Sequence, residues 1–394
     1  MPKALWLLVI GMLVNVTGAS FLWPLNAIYI HDHLGKSLSI AGFVLMLNSA
    51  GSVIGNLLGG FLYDKLGGYR SIMLGIIISV VALTGLTFWH GWPLYVIFLI
   101  IIGFGSGIIF PSMFAMAGFV WKEGGRKAFN AVYVAQNAGV AIGSALGGFV
   151  ASFSFDYIFL ANLLMYIAFL FIAFFGYRNI AGQQLKQTNV LQQRKPIKNK
   201  HKLYALIILC GAYFLGWVAY VQWQSTIAAY TQVVNISLKQ YSILWTINGA
   251  LIVLAQPLLQ WSLRKYSNQL KGQIIVGLSI FIISFGVAGV ADDFKGFLAA
   301  MIILTMGEML VWPVVPTVAN QLAPKGREGF YQGIVNSTAT SGRMIGPVLG
   351  GILVDMYGMS VLFGFLIGLL LVALILACFY ERPLKATGIQ TNKQ

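Results

Sequence analysis

Two charged residues sit deep in otherwise apolar sequence. Glu308 lies eleven residues past Phe297 in the run between Lys295 and Lys325, and Arg343 lies about as deep in the run between Glu328 and Asp355. A charge at the centre of a bilayer helix costs roughly 2.5–3.5 kcal/mol on insertion scales. Such residues therefore face the interior of a bundle and pair with one another or carry function. The chemistry open to this pair is proton exchange. Away from water the uncharged form of a carboxyl group is favoured, so Glu308 could take up a proton in one state and give it up, against a cation, in another. Two other readings stand beside it: a structural Glu308–Arg343 pair that keeps the carboxylate ionised, or a switch in which Arg343 releases Glu308 in one conformation only.

Amides and indoles supply the remaining polar material. Asn15, Asn26, Asn48, Gln136, Asn137, Gln222, Gln224, Asn248 and Asn336 fall within apolar runs, with Trp223 and Trp312 among them. A buried amide is costly unless it finds a partner, so these side chains either tie helices together or line a substrate cavity. Gln222 and Gln224, flanking Trp223, are the strongest candidates for the second role. Trp6, Trp89, Trp92 and Trp121 fall at span ends, where indoles anchor in the interface. Cys210 and Cys378 lie in apolar runs, and His31, His33, His90 and His201 at their edges. That leaves no material for a disulfide scaffold or a metal cluster, and no GxxxxGK[ST] phosphate loop is present, so no cofactor is expected.

The elements that must position these residues are membrane helices. Of 394 residues, 58% are hydrophobic and 9% charged, with a mean hydropathy of +0.82. Soluble domains are roughly 45–50% apolar and about 25% charged, so neither a water-soluble enzyme nor a disordered chain fits. A span needs roughly 20 apolar residues, and the charges divide the chain into twelve such runs. The run from Arg70 to Lys122 breaks in two at Trp89-His90-Gly91-Trp92-Pro93. The first run continues to Ile30, longer than the apolar core of a signal peptide, so it reads as an uncleaved span. With the N-terminus inside, 21 of the 25 Lys and Arg residues fall in cytoplasmic segments. The positive-inside rule then places both termini in the cytoplasm and accounts for the net charge of +15 without nucleic acid.

The chain repeats itself. Phe110-Pro111 recurs as Trp312-Pro313, and Arg126-Lys127-Ala128-Phe129 as Arg327-Glu328-Gly329-Phe330. The stretch Gly139, Gly143, Gly147, Gly148 recurs as Gly342, Gly346, Gly350, Gly351. The offsets stay within 201–203 residues. Two six-helix halves follow: 1–177 and 203–380, joined by a basic cytoplasmic linker, 178–202, and ending in a cytoplasmic tail, 381–394. Repeated bundles of this kind hold a substrate site near the bilayer midplane and work by rocking one half against the other. The expected fold is an all-α membrane protein of twelve transmembrane helices in two pseudo-symmetric six-helix bundles.

At these residues the chain resembles the major facilitator superfamily, and within it the twelve-helix drug:proton antiporters of Gram-positive bacteria. Gly60-Phe61-Leu62-Tyr63-Asp64-Lys65-Leu66-Gly67-Gly68-Tyr69-Arg70 matches the superfamily's loop between spans 2 and 3. The resemblance implies that Asp64 docks on the N-terminus of span 11, with Gly60 and Gly68 allowing close approach and Lys65 and Arg70 as further charge partners: a latch for the outward-open state. The glycines of span 5 match the antiporter motif, with Ser144 where that motif has proline; the span 11 copy keeps it as Pro347. The early arginine of span 4 seen in many such antiporters is absent from Ile100-Ile101-Ile102-Gly103-Phe104-Gly105, and Val132 and Gln224 stand where further membrane acids are found. Coupling is thus expected to rest on Glu308.

The function expected is secondary active transport: export of lipophilic, cationic compounds across the plasma membrane by proton antiport. Its partners would be a small-molecule substrate, protons and the lipid bilayer, with the protein a monomer. The alternative is a transporter of the same fold for one metabolite, sugar, peptide or lipid. A membrane-embedded enzyme should cluster His, Asp or Glu at one membrane face, and only the doublet Asp292-Asp293 is present, so no enzyme is expected.

Overall fold

The computed structural model describes residues 1–22, 25–26, 29–36, 38–151, 153–178, 180, 200–262 and 269–385. Most of the expected linker (181–199), Arg264, Lys265 and the tail beyond 385 lie outside these residues. Within them the chain forms twelve principal helices. These are α1 Lys3–Leu22, α2 Leu38–Leu66, α3 Gly68–Phe88, α4 Leu94–Val120, α5 Arg126–Ala151, α6 Phe155–Ile172, α7 Lys200–Tyr220, α8 Leu238–Ser262, α9 Leu270–Gly289, α10 Phe294–Val311, α11 Glu328–Tyr357 and α12 Met359–Phe379. Nine spans among the described residues are long and apolar enough to cross a bilayer by themselves. The other three helices are less apolar: Gly139, Gly143 and Gly147 of α5 and Gly342, Gly346 and Gly350 of α11 turn to neighbouring helices, and Asn248 of α8 bonds Thr305 and Glu308 of α10. They cross in company because those polar faces meet helices rather than lipid.

Helix ends follow local chemistry. Gly67 at φ +84° and Gly358 at φ +81° make one-residue joints between α2 and α3 and between α11 and α12, a left-handed conformation that glycine alone adopts freely. Asp293 caps α10, accepting from the Gly296 amide at 2.8 Å. Two helices break inside the bilayer. α10 stops at Val311 and resumes as Val314–Leu322, because Pro313 has no amide to continue the ladder. α7 tightens to a 3₁₀ turn at Val221–Gln224 before continuing as Thr226–Val233.

The described residues fall into two compact units: one holding 1–180 with 323–337, the other 200–322 with 338–385. In the first, α1 packs on α5 and α6, α4 on α2 and α3, and α3 on α6. The same pattern recurs in the second, where α7 packs on α12, α10 on α8 and α9, and α9 on α12. Corresponding partners follow the offset of the sequence repeat. The buried apolar side chains fill each unit, while exposed ones such as Ile54, Val81, Leu254 and Ile375 form the lipid-facing surface that a bilayer, unlike water, tolerates.

Candidate functional site

Glu308 is 3% exposed on α10, one turn before the break at Pro313. Its Oε2 accepts from the Tyr220 hydroxyl at 3.1 Å and from Asn248 Nδ2 at 2.9 Å. Asn248 also donates to Thr305 Oγ1 at 2.9 Å, and Thr305 donates in turn to the Met301 carbonyl at 2.7 Å. Two helices, α7 and α8, thus present a neutral hydroxyl and a neutral amide to one carboxyl group on α10. Such partners serve both forms of the acid. Tyr220 can donate to a carboxylate or accept from a protonated carboxyl, since a phenol does either. Ser106, at the place in α4 that the repeat equates with Glu308, lies 3.1 Å from the Tyr166 hydroxyl. The first unit keeps the position polar but uncharged.

Arg343 has different partners. Its guanidinium carbon lies 4.9 Å from the Trp217 ring centroid, and one NH₂ donates to Thr340 Oγ1 at 3.4 Å. Trp217 stacks on Trp312 at 4.4 Å and 10° and meets Tyr220 edge-on at 5.3 Å. A line of contacts therefore runs from Arg343 through Trp217 and Tyr220 to Glu308, with aromatic rings between the two charges. Tyr213, Trp217 and Tyr220 follow one another at helical spacing along α7. That periodicity was the available signal for residues that sequence reasoning missed, but it also describes an ordinary packing or lipid-facing stripe.

The glycine motifs sit where helices meet most closely. Gly139, Gly143 and Gly147 of α5 face Leu13, Thr17 and Phe21 of α1, and a methyl on Gly139 would come within 2.9 Å of the Leu13 carbonyl. Gly342, Gly346 and Gly350 of α11 face Phe214, Val218 and Gln222 of α7 in the same register. Gly148 has no described surroundings, and Pro347 lies inside α11 without ending it. In the first unit Asp64, near the end of α2, accepts from the Gly329 and Phe330 amides at 2.7 and 2.8 Å. It caps the first turn of α11, where free N–H groups and the helix dipole favour a carboxylate. Gly60 lies against the Gly329 carbonyl and Gly68 against Tyr63 and Met116, leaving no room for side chains. Lys65 and Arg70 are exposed, with the Lys65 ammonium over Phe61 at 5.8 Å.

The amides divide by partner. Gln222 is fully buried and bridges α7 to α11, donating to the Val218 and Gly346 carbonyls at 3.0 and 2.7 Å and accepting from Thr226 Oγ1 at 2.7 Å. Trp223 beside it is fully buried, with its carbonyl taken by the Tyr241 hydroxyl, while Gln224 is exposed. Asn26 accepts from Tyr95 at 2.7 Å. Asn48 donates to the Leu99 carbonyl at 2.6 Å, and Asn137 and Asn336 donate to carbonyls four residues back on their own helices. Gln136 is half-buried, and Asn15 is fully buried with neither amide atom hydrogen-bonded. Of these, Asn248 is brought by a hydrogen bond to an intramembrane charge, Glu308.

Comparison with known proteins extends these observations. The family model described as the Major Facilitator Superfamily matches residues 8–282 and 225–394. An uncharacterized MFS-type transporter, YttB of Bacillus subtilis (strain 168), is 61% identical over 394 residues, covering all of this chain and 99% of its own. The quinolone resistance protein NorA of Staphylococcus aureus (strain MRSA252) is 26% identical, with 91% of each chain covered. Among solved structures, a bacterial homologue of the iron transporter ferroportin in an outward-facing state superposes with a TM-score of 0.78. It is 14% identical and covers 97% of this chain and all of its own, which is a likeness of fold. The chain belongs to the major facilitator superfamily of membrane transporters.

Proposed function

We propose that this transporter exports lipophilic, cationic compounds across the plasma membrane by proton antiport, with Glu308 as the proton carrier. The observation that carries the reading is the setting of Glu308: a carboxyl group 3% exposed in mid-membrane, held by Tyr220 and Asn248, groups that bond its charged and neutral forms alike. Protonation on the outer side and release on the inner side would exchange against a bound cation, each occupant excluding the other. Asp64, Gly60 and Gly68 serve as the conformational latch, Asp64 holding the start of α11 in one state of the cycle. The halves 1–177 and 203–380, joined through 178–202, are the moving parts of a monomer whose basic segments keep both termini cytoplasmic.

The test is uptake of a lipophilic cationic dye into energised inverted vesicles, comparing wild type with Glu308→Gln at matched expression. Uptake that collapses with a protonophore and is lost in the variant supports the reading. Gradient-driven uptake that survives in Glu308→Gln returns Glu308 to a structural role, and no dye uptake by the wild type favours a transporter for one specific metabolite.

A further inference from the structure

The same line of residues contains hydrogen-bond donors that the protein itself does not use. Arg343 is the sixteenth residue of the thirty in α11, so it lies roughly 20 Å along the axis from either end at 1.5 Å per residue. It is nonetheless solvent-accessible. That exposure is not toward lipid. The exposed apolar stripe of α11 runs through Ile345, Val348, Ile352 and Met356, at 41, 56, 54 and 63%. At about 100° per residue Arg343 points roughly 175° away from the centre of that stripe, beside the glycine seam with α7. A guanidinium carries five N–H donors, and the bond to Thr340 occupies one of them at 3.4 Å. Close by, the indole nitrogen of Trp312 is buried without a hydrogen-bond acceptor, and its ring forms a stacked, flat pair with that of Trp217.

We propose that Arg343, Trp217 and Trp312 form a recognition site for an oxyanion carried on an aromatic substrate. The carboxylate, sulfonate or phosphate would bond the Arg343 fork and the substrate's ring system would lie against the indole pair. Planar guanidinium donors match the two oxygens of such a group. Depth sets Arg343 apart from the headgroups of the surrounding bilayer, because it sits at mid-helix and those headgroups lie outside the hydrocarbon core. The ligand is therefore a solute that enters the bundle. Resting on the export reading, the proposal narrows its substrate class: the best substrates are zwitterions, with a cationic end answering to Glu308 and an acidic group on Arg343.

Two xanthene dyes with one ring system provide the probe: rhodamine 123, a methyl ester and a cation, and rhodamine 110, the free acid. Binding is measured at neutral pH by dye anisotropy on the purified full-length protein, and export in proteoliposomes with an imposed proton gradient. A charge-assisted bond is worth enough to make the acid bind the wild type about tenfold or more tighter than the ester. In Arg343→Gln the ratio falls to about one. In Arg343→Lys, which keeps the charge but loses the flat fork, it lies between. Should Arg343→Gln fail to fold, the wild-type ratio and the lysine variant decide. Equal wild-type affinities, no binding of the acid, or a ratio untouched by either substitution overturns the site. Arg343-dependent binding of the acid without gradient-driven movement sinks the export reading and leaves the site standing, whereas export of both dyes with equal affinity does the reverse.

Discussion

At the residue scale, what distinguishes Glu308 is a single amide nitrogen. Asn248 has two protons on Nδ2 and spends one on Thr305 and one on Glu308, so its orientation is set from both sides. Asn48 offers a contrast. Its amide bonds one backbone carbonyl, that of Leu99, which ties α2 to α4 and touches no charge. Replacing each by leucine separates the two roles. Asn48→Leu removes a neutral hydrogen bond, costs about 1 kcal/mol, and should lower the melting temperature in detergent while leaving transport per folded molecule unchanged. Asn248→Leu removes a bond to an ionisable group worth about 1.5–3 kcal/mol. Gradient-driven transport should then fall about tenfold or more, and Thr305→Val added to it should cost little extra, because the two residues act through one network. Equal transport losses in the two leucine variants would show that Asn248 is merely another helix tie.

At the element scale, the seams decide which glycines matter. A methyl on Gly143 would meet the Ser20 Cβ at 2.7 Å as well as the backbone of Thr17, whereas Gly364 and Gly368 of α12 have open space around them. Gly143→Ala should therefore destabilise by about 1–3 kcal/mol through overpacking. Gly364→Ala should leave the melting temperature unchanged or slightly raised, since alanine is favoured over glycine in a helix interior by about 0.5–1 kcal/mol. A lowered melting point for Gly364→Ala, or none for Gly143→Ala, would show that these seams are looser than their geometry. The seams were legible in the sequence, because a glycine every fourth residue, repeated at a constant offset, has few meanings in a membrane helix. So were the spans and the Asp64 loop. The partners of Glu308 were not: Tyr220 and Asn248 lie 88 and 60 residues away, and an amide in an apolar run gives no sign of whether it turns to its own backbone or to a neighbour. Gln222 and Gln224 looked alike for that reason. The 3₁₀ turn at Val221–Gln224 sends one into the α7–α11 seam and leaves the other exposed.

At the scale of the whole molecule, a common frame carries unequal chemistry. The glycine seams α1–α5 and α7–α11 and the prolines Pro111 and Pro313 repeat, but the first unit has Ser106 where the second has Glu308, and Phe21 where the second has Gln222. The line of contacts from Arg343 through Trp217 and Tyr220 to Glu308 lies wholly in the second unit. Helix α11 is the element with a share in both: residues up to Ser337 group with the first unit and those from Thr338 with the second. Its first half is fastened to α2 by the Asp64 cap, by the close approach of Gly60 to Gly329, and by the Ser337 hydroxyl donating to the Val53 carbonyl at 3.1 Å. Each of these is a short-range contact that a small displacement abolishes, which suits a latch that must open. If it opens once per cycle, a covalent bridge across it should stop transport. Cysteines at Val53 and Ser337, in a chain with Cys210 and Cys378 replaced by alanine, place two thiols on the seam without filling a glycine position. A short cleavable thiol cross-linker should arrest dye export, and reducing the linker should restore it. Cross-linked protein that exports at the full rate would mean that α2 and the start of α11 move as one piece throughout the cycle, and that the Asp64 cap is a permanent fastening.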